Sequence, residues 1–223
     1  MLDAGELEGV LTFAANLRSR RFARPSSIAP DLWLGVTSRL TIGIIHRAAS
    51  LDEIDAERPL CLRGCEVRYA GGIDVRYGFA REALAIAPRV RLLLRDVDPA
   101  KPAVTLGALA RWNPGRFAIS TDPYLRVGIA NTDRGNRAAL VVPVRFAIQP
   151  TSRWMLGVHV GFDSALAAMP DGWRGPVGIV SAVHPLEALE VSIELGFRSL
   201  VGPQHEYRER TLMITAGWHQ HVL

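Results

Sequence analysis

Long apolar runs are missing from this chain of 223 residues. No stretch approaches the roughly 18 consecutive apolar residues that a transmembrane helix needs, so the chain has no such helix. Lysine is nearly missing too: of 26 basic residues almost all are arginine. The net charge is +4, yet no basic helix and no RNA-binding aromatic motif is present, which argues against nucleic acid as a partner. The opening MLDAGELEG has neither a basic segment nor an apolar one and is not a signal peptide. Read alone it places the chain in the cytoplasm; a mature, exported chain with an added Met1 reads the same way. No metal-ligand spacing stands out, and no cofactor motif is found.

What the chain does have is alternation. Between Phe117 and Phe162 three long stretches carry apolar residues at every second position. Trp154, Leu156, Val158, Val160 and Phe162 alternate with Met155, Gly157, His159 and Gly161. Leu140, Val142, Val144, Phe146 and Ile148 alternate with Val141, Pro143, Arg145 and Ala147. A period of two means β-strands with unlike faces. The stretches exceed the usual strand of about 5–6 residues and match the roughly 9–11 that a tilted strand needs to cross a bilayer.

Read in order, the same pattern predicts twelve strands joined as consecutive hairpins in a single domain, residues 1–223. The first runs from Val10 to Arg20, and a short link, Arg24 to Ser27, leads to the second. The others are centred on Leu34, Ile42, Val75, Val90, Leu106, Leu125, Val144, Val158, Val180, Ile193 and Ile214. Turns at Ser38, Arg81, Pro114, Thr151 and Leu186 are short; connections at Leu51, Asp98 (DVDPAKP), Thr132, Met169 and Gln204 are longer and more polar. Pro88, Pro123 and Pro143 each remove a ladder hydrogen bond and count against the strand assignments, a loss that bulges could absorb.

Short turns on one rim, long loops on the other and an even strand number resemble the Gram-negative outer-membrane β-barrel superfamily, porin-like and twelve-stranded. The resemblance is architectural, covers nearly the whole chain and rests on no short motif. It implies an all-β fold: a closed antiparallel up-and-down transmembrane barrel in the bacterial outer membrane, surrounded by lipid or detergent, with a monomer as the expected unit. From strand four onward no charged residue falls at an assigned outward position within a strand, the last strand being assigned from Leu212. Outward aromatics cluster at strand ends, with Phe13, Phe79, Trp112, Phe117, Trp154 and Trp218 toward the short-turn rim and Tyr69, Phe162 and Phe197 toward the other. The end, Val222-Leu223, departs from the aromatic residue on which such barrels usually finish, with Trp218 nearby.

Twelve strands about 4.8 Å apart and tilted roughly 40° close to a backbone diameter of roughly 22–24 Å, leaving on the order of 10 Å inside. The inward positions carry Arg18, Arg47, Arg76, Arg89, Arg91, Arg95, Arg111, Arg126, Arg145 and Arg198, against Asp31, Asp74, Asp122, Asp163, Glu190 and Glu194. Two readings follow. Arginines and acids pair across strands and stiffen the wall, or the excess of guanidinium makes a water-filled, anion-favouring pore for small solutes. Arg89, Arg91 and Arg95 form the strongest local signal. A structural or anchoring barrel is the alternative. An outer-membrane enzyme has less support: His159 and Asp163, four residues apart at about 3.3 Å per residue, do not touch along a strand. Ser181, His184, His205, His219 and His221 match no lipase, deacylase or protease pattern.

The longest loop holds both cysteines, Cys61 and Cys65, with Arg63-Gly64 between them. A surface disulfide is expected in an oxidising compartment, with a C-x3-C metal site as the weaker alternative. Upstream, Asp52, Glu53, Asp55 and Glu57 stand in SLDEIDAE, where Ser50 and Glu53 have capping-box spacing. Folded inward, these four acids would meet lumenal arginines and narrow the pore as a constriction loop; folded outward, they would only keep the surface soluble.

Overall fold

The computed structural model describes residues 2–18, 20, 22–46, 60–65, 71–81, 83–169 and 171–221. They form one closed antiparallel barrel of twelve strands. The strands are β1 (Glu6–Asn16), β2 (Ser26–Gly35), β3 (Leu40–Ile45), β4 (Gly71–Tyr77 and Phe79–Arg81), β5 (Leu84–Val97) and β6 (Ala100–Trp112). Then come β7 (Phe117–Thr121 and Tyr124–Gly128), β8 (Ala139–Thr151), β9 (Trp154–Ala165), β10 (Gly175–Leu186), β11 (Leu189–Val201) and β12 (Arg210–His221). Each pairs with its sequence neighbour, and β1 closes the cylinder on β12 from Glu6↔His221 to Asn16↔Thr211. Both ends of the chain therefore meet at the rim with the short turns, here called the lower rim.

The alternation decides which way each side chain faces. Ile73, Val75, Tyr77 and Phe79 on β4, Leu84, Ile86, Val90 and Leu92 on β5, and Ile193 and Leu195 on β11 are all exposed on the outside. The same holds around the ring. Soluble monomers rarely expose more than a few hundred Å² of contiguous apolar surface, so a belt of this extent is a lipid-facing wall. Polar and charged residues of the intervening positions, among them Asp74, Arg89, Arg91, Thr105, Asp122 and His159, are buried on the inside.

Three expectations are corrected. β1 starts at Glu6, not Val10, because Leu7 and Gly9 extend the outward register downward; Phe13, paired with Ile28 and Ile214, thereby sits in the upper half of the wall and not at the lower rim. DVDPAKP is not a loop: β5 and β6 pair from Leu84↔Trp112 to Val97↔Ala100, leaving only Asp98 and Pro99 between them. Their polar residues stand where the hairpin passes beyond the apolar belt. The prolines need no bulge. The β5–β6 register runs unbroken through Pro88↔Ala108, and β8–β9 through Pro143↔Gly161. Pro123 and Pro143 face the same gap in the β7–β8 ladder, so one interruption serves both, and Thr121 Oγ1 donates to the Pro143 carbonyl at 2.6 Å.

In the upper part of the wall, beyond the end of β3, a short strand, Leu60–Arg63, pairs with Ser26, Ser27 and Ile28 of β2. Cys61 and Cys65 are disulfide-bonded, with Cα atoms 5.8 Å apart. Below the lumen, Leu2 is buried and the Gly5 amide donates to the Gly35 carbonyl at 2.8 Å, so residues 2–5 tuck under β2.

Candidate functional site in the barrel lumen

The inner face is organised around Asp74. Its carboxylate accepts from Arg89 Nε (2.8 Å) and Nη2 (3.0 Å), from Arg76 Nε (2.6 Å) and from the Trp33 indole N–H (2.9 Å). Arg89 then reaches on to Asp122, with Nη1 2.5 Å from Oδ2. Asp74 and Asp122 are both fully buried and Arg89 nearly so. A carboxylate at such depth is tolerable only when paired and hydrogen-bonded, and here each is.

Aromatic rings complete the layer. The Arg76 guanidinium lies 4.6 Å from the Trp33 ring centroid, and that of Arg91 lies 4.4 Å from Tyr124. Arg91 Nε also donates to Thr105 Oγ1 at 2.9 Å. These are the cation–π and planar hydrogen-bonding contacts that suit arginine and not lysine, which accounts for the choice of base. Register sets the geometry. Arg76, Arg89, Gly107 and Tyr124 face one another across β4 to β7, and Gly107 has no side chain to block Arg89 from Asp122 two strands away. A Cβ at Gly107 would overlap the Pro123 carbonyl and approach Tyr124 Cβ to 2.7 Å.

A second cluster links β8, β9 and β11. Glu194 on β11 accepts from Arg145 Nη2 at 3.1 Å and sits 2.9 Å from His159 Nδ1. His159 is fully buried and Glu194 nearly so, while Arg145 keeps part of its surface. Toward the upper rim Arg174 pairs with Asp163, its Nε 2.8 Å from Oδ2, and Arg95 donates to Asn136 at 3.2 Å. Near the lower rim Arg111 donates to Asn113 at 2.9 Å and His184 pairs with an exposed Glu190 at 2.9 Å. Among the described residues no three His, Cys, Asp or Glu side chains converge as a metal site would require.

Of the predicted lining residues, Arg76, Arg89, Arg91, Arg95, Arg111, Arg126, Arg145, Arg198, Asp74, Asp122, Glu190 and Glu194 all stand in the inward register. Arg18 lies just past the end of β1. Arg47 and the constriction-loop acids Asp52, Glu53, Asp55 and Glu57 fall outside the described residues, as does Tyr69. Arg89, Arg91 and Arg95 do not form one open track. Arg89 and Arg91 are buried in the wall; Arg95 stands above them, half-buried. Asp31 accepts the His46 amide at 2.7 Å.

Sequence reasoning missed Trp33 and Glu8, and set Tyr124 on the inner face without giving it a role. Trp33 and Tyr124 hold inward positions between polar residues, a parity visible in the sequence. Glu8, opposite Trp33 in register, was lost with the late start assigned to β1.

A twelve-stranded barrel with an apolar belt outside and charged layers within is the architecture of outer-membrane channel barrels. Solved structures agree. The chain superposes on a KdgM porin with a TM-score of 0.62 at 6% identity, covering 95% of this chain and 98% of that one. It superposes on a NanC porin with 0.66 at 8% identity, covering 96% and 100%. An outer-membrane channel of Pseudomonas putida F1 gives 0.60 at 11% identity, covering 99% and 97%. Likeness at such low identity is a likeness of fold. No protein-family model and no curated protein matches the sequence.

Proposed function

We propose that the chain forms a narrow water-filled pore of the bacterial outer membrane for small solutes, and that the pore favours anions. One observation carries the reading. Of the inward acids, Asp74, Asp122 and Glu194 are buried beneath their partners and Glu8, Asp163 and Glu190 keep surface, whereas Arg95, Arg111, Arg126, Arg145 and Arg198 all keep surface toward the lumen. Water in the pore therefore meets guanidinium more than carboxylate, the arrangement of anion-selective pores. Arg76, Arg89 and Arg91 serve the wall in this reading and the half-exposed arginines meet the solute. That the three similar structures are named porins or channels supports a conducting barrel over a purely structural one.

Planar-bilayer recording of the folded barrel in a salt gradient tests the proposal. The expected reversal potential favours anions. Changing Arg111, Arg126 and Arg198 to Gln reduces that preference; the same change at outward Leu106 does not. A cation-favouring reversal potential rejects the proposal, and a folded barrel without conductance leaves the structural reading. We propose further that the acids Asp52, Glu53, Asp55 and Glu57 narrow the upper mouth. Changing them to Asn and Gln then raises single-channel conductance, and unchanged current retires this role.

A further inference from the structure

Under the upper rim, the outer wall of β10, β11 and β12 holds a cavity of about 380 Å³. Val177 and Ile179 form one side and Leu195 and Phe197 the other; Leu17 and Leu200 close it toward the rim, and the backbone of the Gly178–Gly196 pair lines it as well. The lining is apolar with one cationic exception, Arg210, paired with Phe197 at the first position of β12. Arg210 is exposed, and its Nε donates to the Tyr207 carbonyl at a long 3.5 Å. Arg208, two residues earlier, is exposed on the same rim; of the neighbouring acids, Glu206 accepts the Arg208 amide at 3.0 Å.

An apolar slot in a lipid-facing wall takes an acyl chain. A guanidinium at its upper edge takes a phosphate through paired N–H donors. We propose that this slot is a binding site for one membrane lipid with an anionic phosphate headgroup, its chain against Val177, Ile179, Leu195 and Phe197 and its phosphate on Arg210. The inference rests on the outer wall being lipid-facing.

Native mass spectrometry of the detergent-folded protein, titrated with dimyristoylphosphatidylglycerol or dimyristoylphosphatidylcholine, tests it. The chains are identical and only the headgroup differs. One phosphatidylglycerol is expected to bind about tenfold more tightly than phosphatidylcholine, whose choline cation offsets the phosphate charge that Arg210 attracts. Arg210→Gln abolishes the preference. Val177→Trp, which fills the slot, lowers retention of both lipids, and Leu106→Trp on another part of the wall changes neither. Millimolar inorganic phosphate leaves the bound lipid in place. Equal affinity for the two lipids, wild-type binding by either slot variant, or displacement by inorganic phosphate overturns the site. Heat-dependent gel migration after refolding into vesicles separates the two claims. A barrel that folds into vesicles but holds no lipid in the slot refutes only this inference, and one that cannot enter vesicles refutes the membrane reading beneath it.

Discussion

Gly43 lies directly beneath the indole of Trp33: the two are paired across β2 and β3, and a Cβ at Gly43 would overlap the ring. The contact fixes the ring plane on which the Arg76 guanidinium stacks, and it aims the indole N–H at Asp74. Gly43→Val therefore has to push Trp33 off both partners. The expected loss is about 1–3 kcal/mol, the usual effect of overpacking a filled interior. Urea unfolding in detergent, followed by tryptophan emission, measures it. Unchanged stability would mean that the indole is loosely held.

Arg89 is the only described residue that bonds both Asp74 and Asp122. Arg89→Met keeps much of the bulk but removes the Arg89–Asp122 ion pair and leaves Asp74 with Arg76 and the Trp33 indole. Removing one partner of a buried ion pair costs about 3–5 kcal/mol. Arg111→Gln, at an exposed site bonded only to Asn113 among the described contacts, is expected to change stability by less than about 0.5 kcal/mol. The same unfolding assay compares them. If the two variants are equally stable, the division into wall and pore arginines fails.

The fold was legible because lipid exposure forces a strict rule on the sequence. Every second residue from Leu84 to Leu92 must be apolar or proline, and no soluble-domain packing obscures the period. Strand ends were less legible, since the rule lapses outside the bilayer. Glu6 and Glu8 looked like a terminal tail, and Asp96 to Lys101 looked like a loop, although both segments are paired. The charged layer was legible only as a list of inward residues. That Arg89 bonds an aspartate one strand away and another two strands away depends on the β4–β7 register and on the gap at Gly107, neither of which a single strand reveals.

The loop strand offers a separate test. Among the described residues, Leu60 to Arg63 pairs with Ser26–Ile28 of β2, and Cys65 Sγ lies 3.4 Å from the Ser26 carbonyl. Replacing both cysteines by serine removes the cross-link without touching the barrel ladder. Amide exchange at residues 60–63 is then expected to quicken by about tenfold with the strands of the wall unchanged, as for a locally opening unit. Exchange mass spectrometry reads both regions at once. Slowed or unchanged exchange in the loop would show that pairing to β2 suffices.

Glu194 ties the lumenal charge balance to the wall. It bonds Arg145, which keeps lumenal surface, and His159, which has none. Glu194→Gln preserves the side-chain shape but removes a negative charge, so the field along the pore becomes more positive. The amide oxygen can still accept from Arg145, so the barrel is expected to fold, with a loss of about 1–3 kcal/mol from the weakened buried contacts. Anion preference in a salt gradient is expected to rise. Arg145→Gln has the opposite sign: it removes a lumenal cation and leaves Glu194 with His159, so preference falls. Opposite shifts in reversal potential from two residues 3.1 Å apart would tie selectivity to this side of the lumen. Shifts of the same sign, with both variants folded, would place the selecting field elsewhere in the barrel.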